Sequence, residues 1–274
     1  MIDVLEVWHN VQIQRRAEEG PKPTAFGTVF RASDAGSCIR KRVFSAIDTL
    51  ETEEIAPTSL LAFEIGNAIH ESIQEALLRS TDVMLEVETP IDLSTEALSL
   101  SGHTDGIITM DDGTKIILEI KTMAGFGARQ TFGGSPKREH IAQAGMYALG
   151  VEADGILLVY VSKETVFKTP IKPGSVEQWY FGMDDEALPY ESVREIAQIE
   201  LDRFTDANGI FDSGMLPEAL VPNDAGELVR VDNPPGYMSK GIKPWNCAYC
   251  NYNSICRAVG PDEVSLEIVR RISA

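Results

Sequence analysis

"SGHTDGIITMDDGTKIILEIKT", residues 101–122, places two runs of β-forming residues on either side of Asp111-Asp112-Gly113. A glycine free to take positive φ, set between two such runs, is a hairpin turn signal. With those three residues as the loop, Met110 faces Thr114 and Asp105 falls opposite Glu119. A two-residue loop moves the partner to Ile120 and leaves Glu119 adjacent. Opposed side chains on one sheet face have Cβ atoms about 4.5–5.5 Å apart, so two carboxylates there repel unless a cation lies between them. Glu119 and Lys121 share a face, while Leu118 and Ile120 point the other way, into a core. Asp105, Glu119 and Lys121 thus make one cluster at the sheet's rim. A solvated strand face with a cross-strand ion pair needs the same residues.

Outward from the hairpin, strands are expected over residues 83–93, 98–110 and 114–122. Upstream, "SLLAFEIGNAIHESIQEALL" has Leu61, Ile65, Ile69, Ile73 and Leu77 near helical spacing. "RASDAGSCIRKRVFSAID" reads as a helix capped by Ser33 or Asp34, with Cys38 in its first turns. Downstream, "SPKREHIAQAGMYALG" is a helix with Ser135 as N-cap, Pro136 at N1 and Gly150 as stop. "GILLVYVSK" is a buried strand, residues 165–171 an adjoining one, and 187–208 a long helix. Residues 217–244, with five prolines, read as loop. This order gives a mixed α/β fold with a central sheet.

The chain has 274 residues and 43% hydrophobic residues, enough to bury a substantial core. The start, "MIDVLEVWHN", lacks the basic flank of a signal peptide, and the apolar run "ILLVYV" is far too short to span a bilayer. A soluble cytoplasmic protein without membrane partners is expected. A net charge of −18 argues against nucleic acid as a partner. Yet residues 120–138 carry Lys121, Arg129, Lys137 and Arg138 with no Asp or Glu, and Arg40, Lys41 and Arg42 adjoin Cys38. Gly125, Gly127, Gly133 and Gly134 suggest a mobile flap after Lys121. Lys163, at a strand end, is within reach of a phosphate or faces solvent; His140 reads as surface; His70 borders an apolar stripe and reads as core. Three of four cysteines lie in "PWNCAYCNYNSICR", residues 244–257, and Cys38 is far upstream. Clustered cysteines in a reducing compartment favour metal over disulfide, and four thiolates taken alone suit zinc.

"GHTDGI" followed by "LEIKT" resembles the split D…ExK signature of the PD-(D/E)xK nucleases. More narrowly, the chain resembles their RecB-like branch, which includes CRISPR-associated and phage exonucleases and the AddB nuclease. "GNAIH" matches the branch's G-x-x-x-H with Gly66 and His70, and "QAGMY" its Q-x-x-x-Y with Gln143 and Tyr147. Cys247, Cys250 and Cys256, spaced C-x2-C-x5-C, with Cys38 upstream, match its cysteine pattern. The resemblance implies a restriction-endonuclease-like core (helix, three-stranded antiparallel sheet, helix, strand) over about 59–172 of a single 1–274 domain. An iron–sulfur subregion of 33–50 and 244–258 would join the two ends of the chain.

Roles follow from the same resemblance. His70, Asp105 and Glu119, with the Ile120 carbonyl, would bind Mg2+ or Mn2+. Lys121 would position and help activate the attacking water, and Gln143 and Tyr147 would hold the DNA backbone or brace the site. The four cysteines would carry a [4Fe–4S] cluster, favoured by the resemblance over zinc, with Trp245, Tyr249 and Tyr252 as shields. The family often has Pro after the first cysteine, where this chain has Ile39. Arg129, Lys137, Arg138 and Lys163 are the candidate DNA contacts. The expected function is a DNA exonuclease acting on free ends, beside recombination or CRISPR adaptation proteins. The alternatives are a structure-specific or CRISPR-adaptation endonuclease and a zinc-bearing DNA-binding module without cleavage.

Overall fold

The computed structural model describes residues 4–19, 24–47, 55–80, 84–222, 228–232, 247 and 250–273. Its elements open with helix α1 (Val4–Glu19), the two-residue strand β1 (Phe30–Arg31), and helices α2 (Ile39–Ala46) and α3 (Pro57–Leu78). Strands β2 (Met84–Asp92), β3 (Leu100–Thr109) and β4 (Lys115–Met123) follow. Next come helices α4 (Gly125–Thr131) and α5 (Arg138–Gly150), strands β5 (Gly155–Ser162) and β6 (Val176–Gly182), the hairpin β7 (Glu186–Leu188) and β8 (Glu191–Ser192), and helix α6 (Val193–Ser213). The described part of the C-terminal region adds the hairpin 220–222/228–230, strand pairing between 215–216 and 264–265, and helices Asn253–Val259 and Leu266–Ser273.

One six-stranded mixed sheet, β1 to β6, organises the chain. β2, β3 and β4 run antiparallel, in the register expected from the Asp111–Gly113 loop: Gly106 pairs with Leu118, and Met110 N–H donates to the Thr114 carbonyl at 2.9 Å. β5 lies parallel to β4, which requires a crossover, and α4 and α5 supply it. α3 covers one face, packing Ile69, Ile73 and Leu77 on Ile108, Leu118, Ile120 and Val159. α5 covers the other with Ile141, Ala144 and Tyr147, and is backed by α6 through Val193, Ile196 and Ala197. Gly145 permits that contact, since a Cβ there would sit 3.0 Å from both Ala197 and Val193. The strand core is thus buried on both faces, as its continuous apolar runs require.

Several boundaries differ from the sequence reading. Ser33 and Asp34 lie in a short 3-10 turn, and Cys38 is itself the N-cap of α2, its sulfur accepting from Lys41 N–H at 3.4 Å. α5 starts at Arg138 behind Lys137, not at Pro136, and Gly150 is its last residue, not its stop. Residues 165–171 form turns; the neighbouring strand is β6, whose alternating pattern fits a sheet edge. The helix expected at 187 begins at Val193, where Ser192 and Glu195 form a capping box, and it ends at Gly214 with φ 72°. In the glycine-rich stretch after Lys121, α4 occupies much of the length, and Gly125 N–H is held by Glu164. In α3 the apolar stripe is covered only in its second half: Leu61 and Ile65 are exposed, while Ile69, Ile73 and Leu77 are half-buried.

Candidate active site

β3 and β4 pair only between residues 106–109 and 115–118 and then part. Into the opening Asp105 turns its carboxylate, and Oδ2 accepts the Ile120 N–H at 2.6 Å, replacing the rung that backbone pairing no longer provides. Beyond the split, β4 continues against β5 alone, which carries Glu119 into the interior beside α5. The splay therefore creates the cluster: it frees an amide that fixes Asp105 and buries Glu119 next to it.

Four more of the expected residues, from α3, β4 itself and α5, converge there. His70, half-buried on α3, brings Nδ1 to 3.3 Å from Asp105 Oδ1, so it is not a core histidine. Lys121 Nζ lies 2.6 Å from Glu119 Oε1 and donates to Gln143 Oε1 at 3.1 Å. Gln143 Nε2 in turn donates to the Tyr147 hydroxyl at 3.3 Å, one turn along α5. Glu119 is 1% exposed and its Oε2 has no hydrogen-bond partner. Burial pushes its carboxyl up to about 7 against the pull of Lys121, and the Asp105 charge adds to the rise. Burial opposes the Lys121 ammonium, but Glu119 outweighs it and holds the Lys121 pKa above its ordinary value. Burial also raises the Tyr147 hydroxyl, with Glu119 contributing. A buried carboxylate oxygen without a partner, beside a second carboxylate, offers oxygen ligands that fit a hard divalent ion. Among the described residues, no group of three or more His, Cys, Asp or Glu side chains is drawn close enough to hold a metal in this conformation. Lys121 engages Glu119 Oε1, and the Ile120 N–H engages Asp105 Oδ2.

Other residues of the site were missed in the sequence. Gln74, buried one turn after His70, donates through Nε2 to the Asp105 carbonyl and to Glu88 Oε1, both at 2.8 Å. Its i+4 spacing from His70 was a usable signal. Glu88 stands beside Asp105, between the pairs Val87–Gly106 and Thr89–Thr104, with φ 48°. Nothing local in the sequence marks that break in the ladder. His140 is not surface: Nδ1 shares a hydrogen bond with the Tyr160 hydroxyl at 2.7 Å, and burial, then the Lys121 charge, hold its pKa well below the ordinary value.

The four candidate DNA contacts are mostly engaged within the fold. Arg129 donates to the Phe167 carbonyl, Arg138 pairs with Glu191, and Lys137 lies 3.8 Å from Glu139. Lys163 Nζ donates to the Ala62 carbonyl at 3.0 Å, tying the end of β5 to α3.

The cysteines come into one region of the fold, though among the described residues no three of them are close enough in this conformation to hold a metal. All four are free thiols, and Cys38, Cys250 and Cys256 are near enough for each other's charge to matter, as is Cys247. Burial, then the neighbouring sulfurs, push the Cys247 and Cys250 thiols up to about 12. Burial likewise raises the Cys38 thiol, and thiols that resist ionisation on their own suit a site where a metal would compensate their charge. Arg40, 1% exposed, sits beside them: Nε donates to the Pro217 carbonyl at 2.7 Å, one terminal nitrogen to the Gly260 carbonyl and to Cys256 Sγ at 3.6 Å, the other to the Asp262 carbonyl. Tyr252 packs on Phe44 with ring centroids 5.5 Å apart, while Trp245 and Tyr249 lie outside the described residues.

Among the described residues no helix is long and apolar enough to cross a membrane. Comparison with known proteins converges with this geometry. The chain is 23% identical over 205 residues to the CRISPR-associated exonuclease Cas4 of Saccharolobus solfataricus, covering 74% of this chain and 73% of that protein. Its structure superposes on the crystal structure of SSO0001 with a TM-score of 0.52 at 16% identity, over 93% of this chain and 96% of that one. A more distant likeness, TM-score 0.42 at 16% identity, is to an alkaline exonuclease from Laribacter hongkongensis, over 67% of this chain and 91% of that one. The family model of the PD-(D/E)XK nuclease superfamily matches residues 51–257, a span that contains every acidic, basic and amide side chain of the cluster around Glu119. The chain belongs to the PD-(D/E)XK nuclease superfamily.

Proposed function

We propose that the protein is a RecB-like, metal-dependent DNA exonuclease, its 1–274 chain forming one nuclease domain with a structural [4Fe–4S] cluster on Cys38, Cys247, Cys250 and Cys256. The observation that carries the catalytic reading is the buried, unpartnered Oε2 of Glu119 beside Asp105 and Lys121. Asp105, Glu119, His70 and the Ile120 carbonyl would hold Mg2+ or Mn2+. Bound there, the ion supplies a lowered pKa for a ligated water and a charge for the phosphate oxygens. The chain's own residues do the rest. Lys121, released from Glu119, orients the attacking water and stabilises negative charge as the phosphodiester breaks. Gln143 holds that lysine from α5, and Gln74 fixes the Asp105 main chain.

The test is digestion of end-labelled DNA with each metal by wild type, Glu119→Gln and Lys121→Ala. Both variants are expected to lose at least a hundredfold in rate, on the order expected for loss of an acid–base group, while still binding DNA. A variant that keeps more than about a tenth of the rate, a barrier change under ~1.4 kcal/mol, refutes the assignment. Circular single-stranded DNA separates exonuclease from endonuclease. The relative's designation as CRISPR-associated favours spacer-processing proteins over recombination proteins as the first partners to test. A cytoplasmic setting would keep the thiols reduced for a cluster.

A further inference from the structure

Two phenylalanine rings stand out of the surface past the ends of β4 and β5. Phe126, on α4, is 69% exposed, and Phe167, in the turn after β5, is 76% exposed. A single exposed phenylalanine is ordinary, but two on one ledge call for an explanation. β4 and β5 are parallel; α4 leaves the carboxyl end of one and the turn leaves the carboxyl end of the other. That is the end of parallel strands at which ligands generally bind. Phe126 follows Lys121 by five residues, so even a fully extended chain keeps its Cα within about 17 Å of the lysine's.

The rings sit on a fixed base. Met123, Ala128, Val166 and Ile171 are buried together beneath the ledge, with Phe132 packed against them. Val166 N–H donates to the Ile171 carbonyl at 3.0 Å, and Thr169 N–H donates to the Val166 carbonyl at 3.1 Å, which closes the turn. Gly125 N–H donates to Glu164 and Arg129 donates to the Phe167 carbonyl, so α4 and the turn are tied at both ends. At the tip Lys168 holds φ 59°, a left-handed conformation uncommon for a residue with a β-carbon. Strain of this kind persists where surrounding contacts fix it, and it clusters at ligand-binding positions.

The ledge is also basic, in a chain with a net charge of −18. The Lys168 ammonium lies 5.3 Å from the Phe167 ring centroid, and Arg129 bonds a carbonyl, so among the described residues no carboxylate neutralises either charge. The neighbouring acids Glu164 and Glu177 are turned to the Gly125 and Gly133 backbone N–H groups. Open aromatic faces beside unneutralised cations match unpaired nucleobases and the phosphates that join them, since every base offers a face to stack and every linkage a charge. We propose that Phe126 and Phe167 form a stacking ledge for unpaired bases of a nucleic-acid strand that enters the active cluster, with Arg129 and Lys168 on its phosphates. The proposal rests on the nuclease reading and deepens it, adding a base-dependent grip to the cleavage site.

The experiment measures equilibrium binding by the full-length protein, without divalent metal so that nothing is cut. The ligands are a fluorescent single-stranded oligonucleotide and an abasic strand of the same length and charge. Wild type should bind the base-bearing strand at least tenfold more tightly. Phe126→Ala and Phe167→Ala should each weaken binding of that strand about tenfold, the effect of one base–aromatic stack, and bind the abasic strand as wild type does. Both rings are exposed, so neither truncation threatens the fold. Equal binding of the two strands by wild type, no binding of either, or an equal loss on both strands in the variants would overturn the ledge and leave the rings to a protein partner. Digestion with metal restored separates the two readings. A wild type that cuts without base-dependent binding loses only the ledge, and one that binds through the two rings but cuts with no metal loses only the nuclease reading.

Discussion

Replacing Arg40 with Met removes a buried cation that ties α2 to the C-terminal region while keeping an unbranched, apolar side chain in the space. The guanidinium bonds the carbonyls of Pro217, Gly260 and Asp262 and touches Cys256 Sγ. Bonds from a charged donor contribute about 1.5–3 kcal/mol each when their acceptors are shielded. Asp262 is exposed, so its carbonyl recovers water and is discounted; Pro217 and Gly260 are half-buried and count near the lower bound. The variant should therefore lose about 3 kcal/mol, some two decades in the folding equilibrium. The assay is urea denaturation of the metal-free protein, so that loss of a cluster cannot be mistaken for loss of the arginine. A change below about 1 kcal/mol would show that these contacts do not hold the two ends together, and that the thiol centre must do so alone.

Other outcomes follow from the same contacts. Cys38→Ala should abolish iron and sulfide binding and the brown colour of protein purified without oxygen; because Arg40 still staples the ends, the metal-free variant should unfold within about 1 kcal/mol of metal-free wild type. A colourless wild type with one tightly bound zinc would refute the cluster. Gly102→Ala should displace Tyr147, cost roughly 1–3 kcal/mol of stability as an overpacked site, and lower the cleavage rate, measured side by side by thermal melting and single-turnover digestion. Neutralising Arg129, Lys137 and Arg138 together should flatten the log affinity–log salt slope by about 1, short of the ~3 expected of three available phosphate contacts, because Arg138 is paired with Glu191 and Lys137 lies near Glu139. A drop of three units would show that these pairs open on binding.

Local sequence determined the hairpin. Asp111-Asp112-Gly113 allows two registers one residue apart, both of which leave Asp105 beside Glu119, and the fold takes the one with all three residues in the loop. Helical spacing likewise gave Gln143 and Tyr147 one face of α5, and the D…ExK, G-x-x-x-H and Q-x-x-x-Y motifs identified the superfamily. Element ends were less legible. Ser135 and Pro136 carry a helix-start signature that the fold does not use, and residues 165–171 have strand-like composition but no free sheet edge to join, since β6 takes that place beside β5. What the tertiary structure alone decided is how residues distant in the chain share one space. The parting of β3 and β4 lets Asp105 cap the Ile120 amide and leaves Glu119 Oε2 buried without a partner. Packing of α3 across the sheet delivers His70 and Gln74 to Asp105. Periodicity assigns a side chain to a face, but burial and charge depend on which other element covers that face, and that is settled only when the whole chain packs.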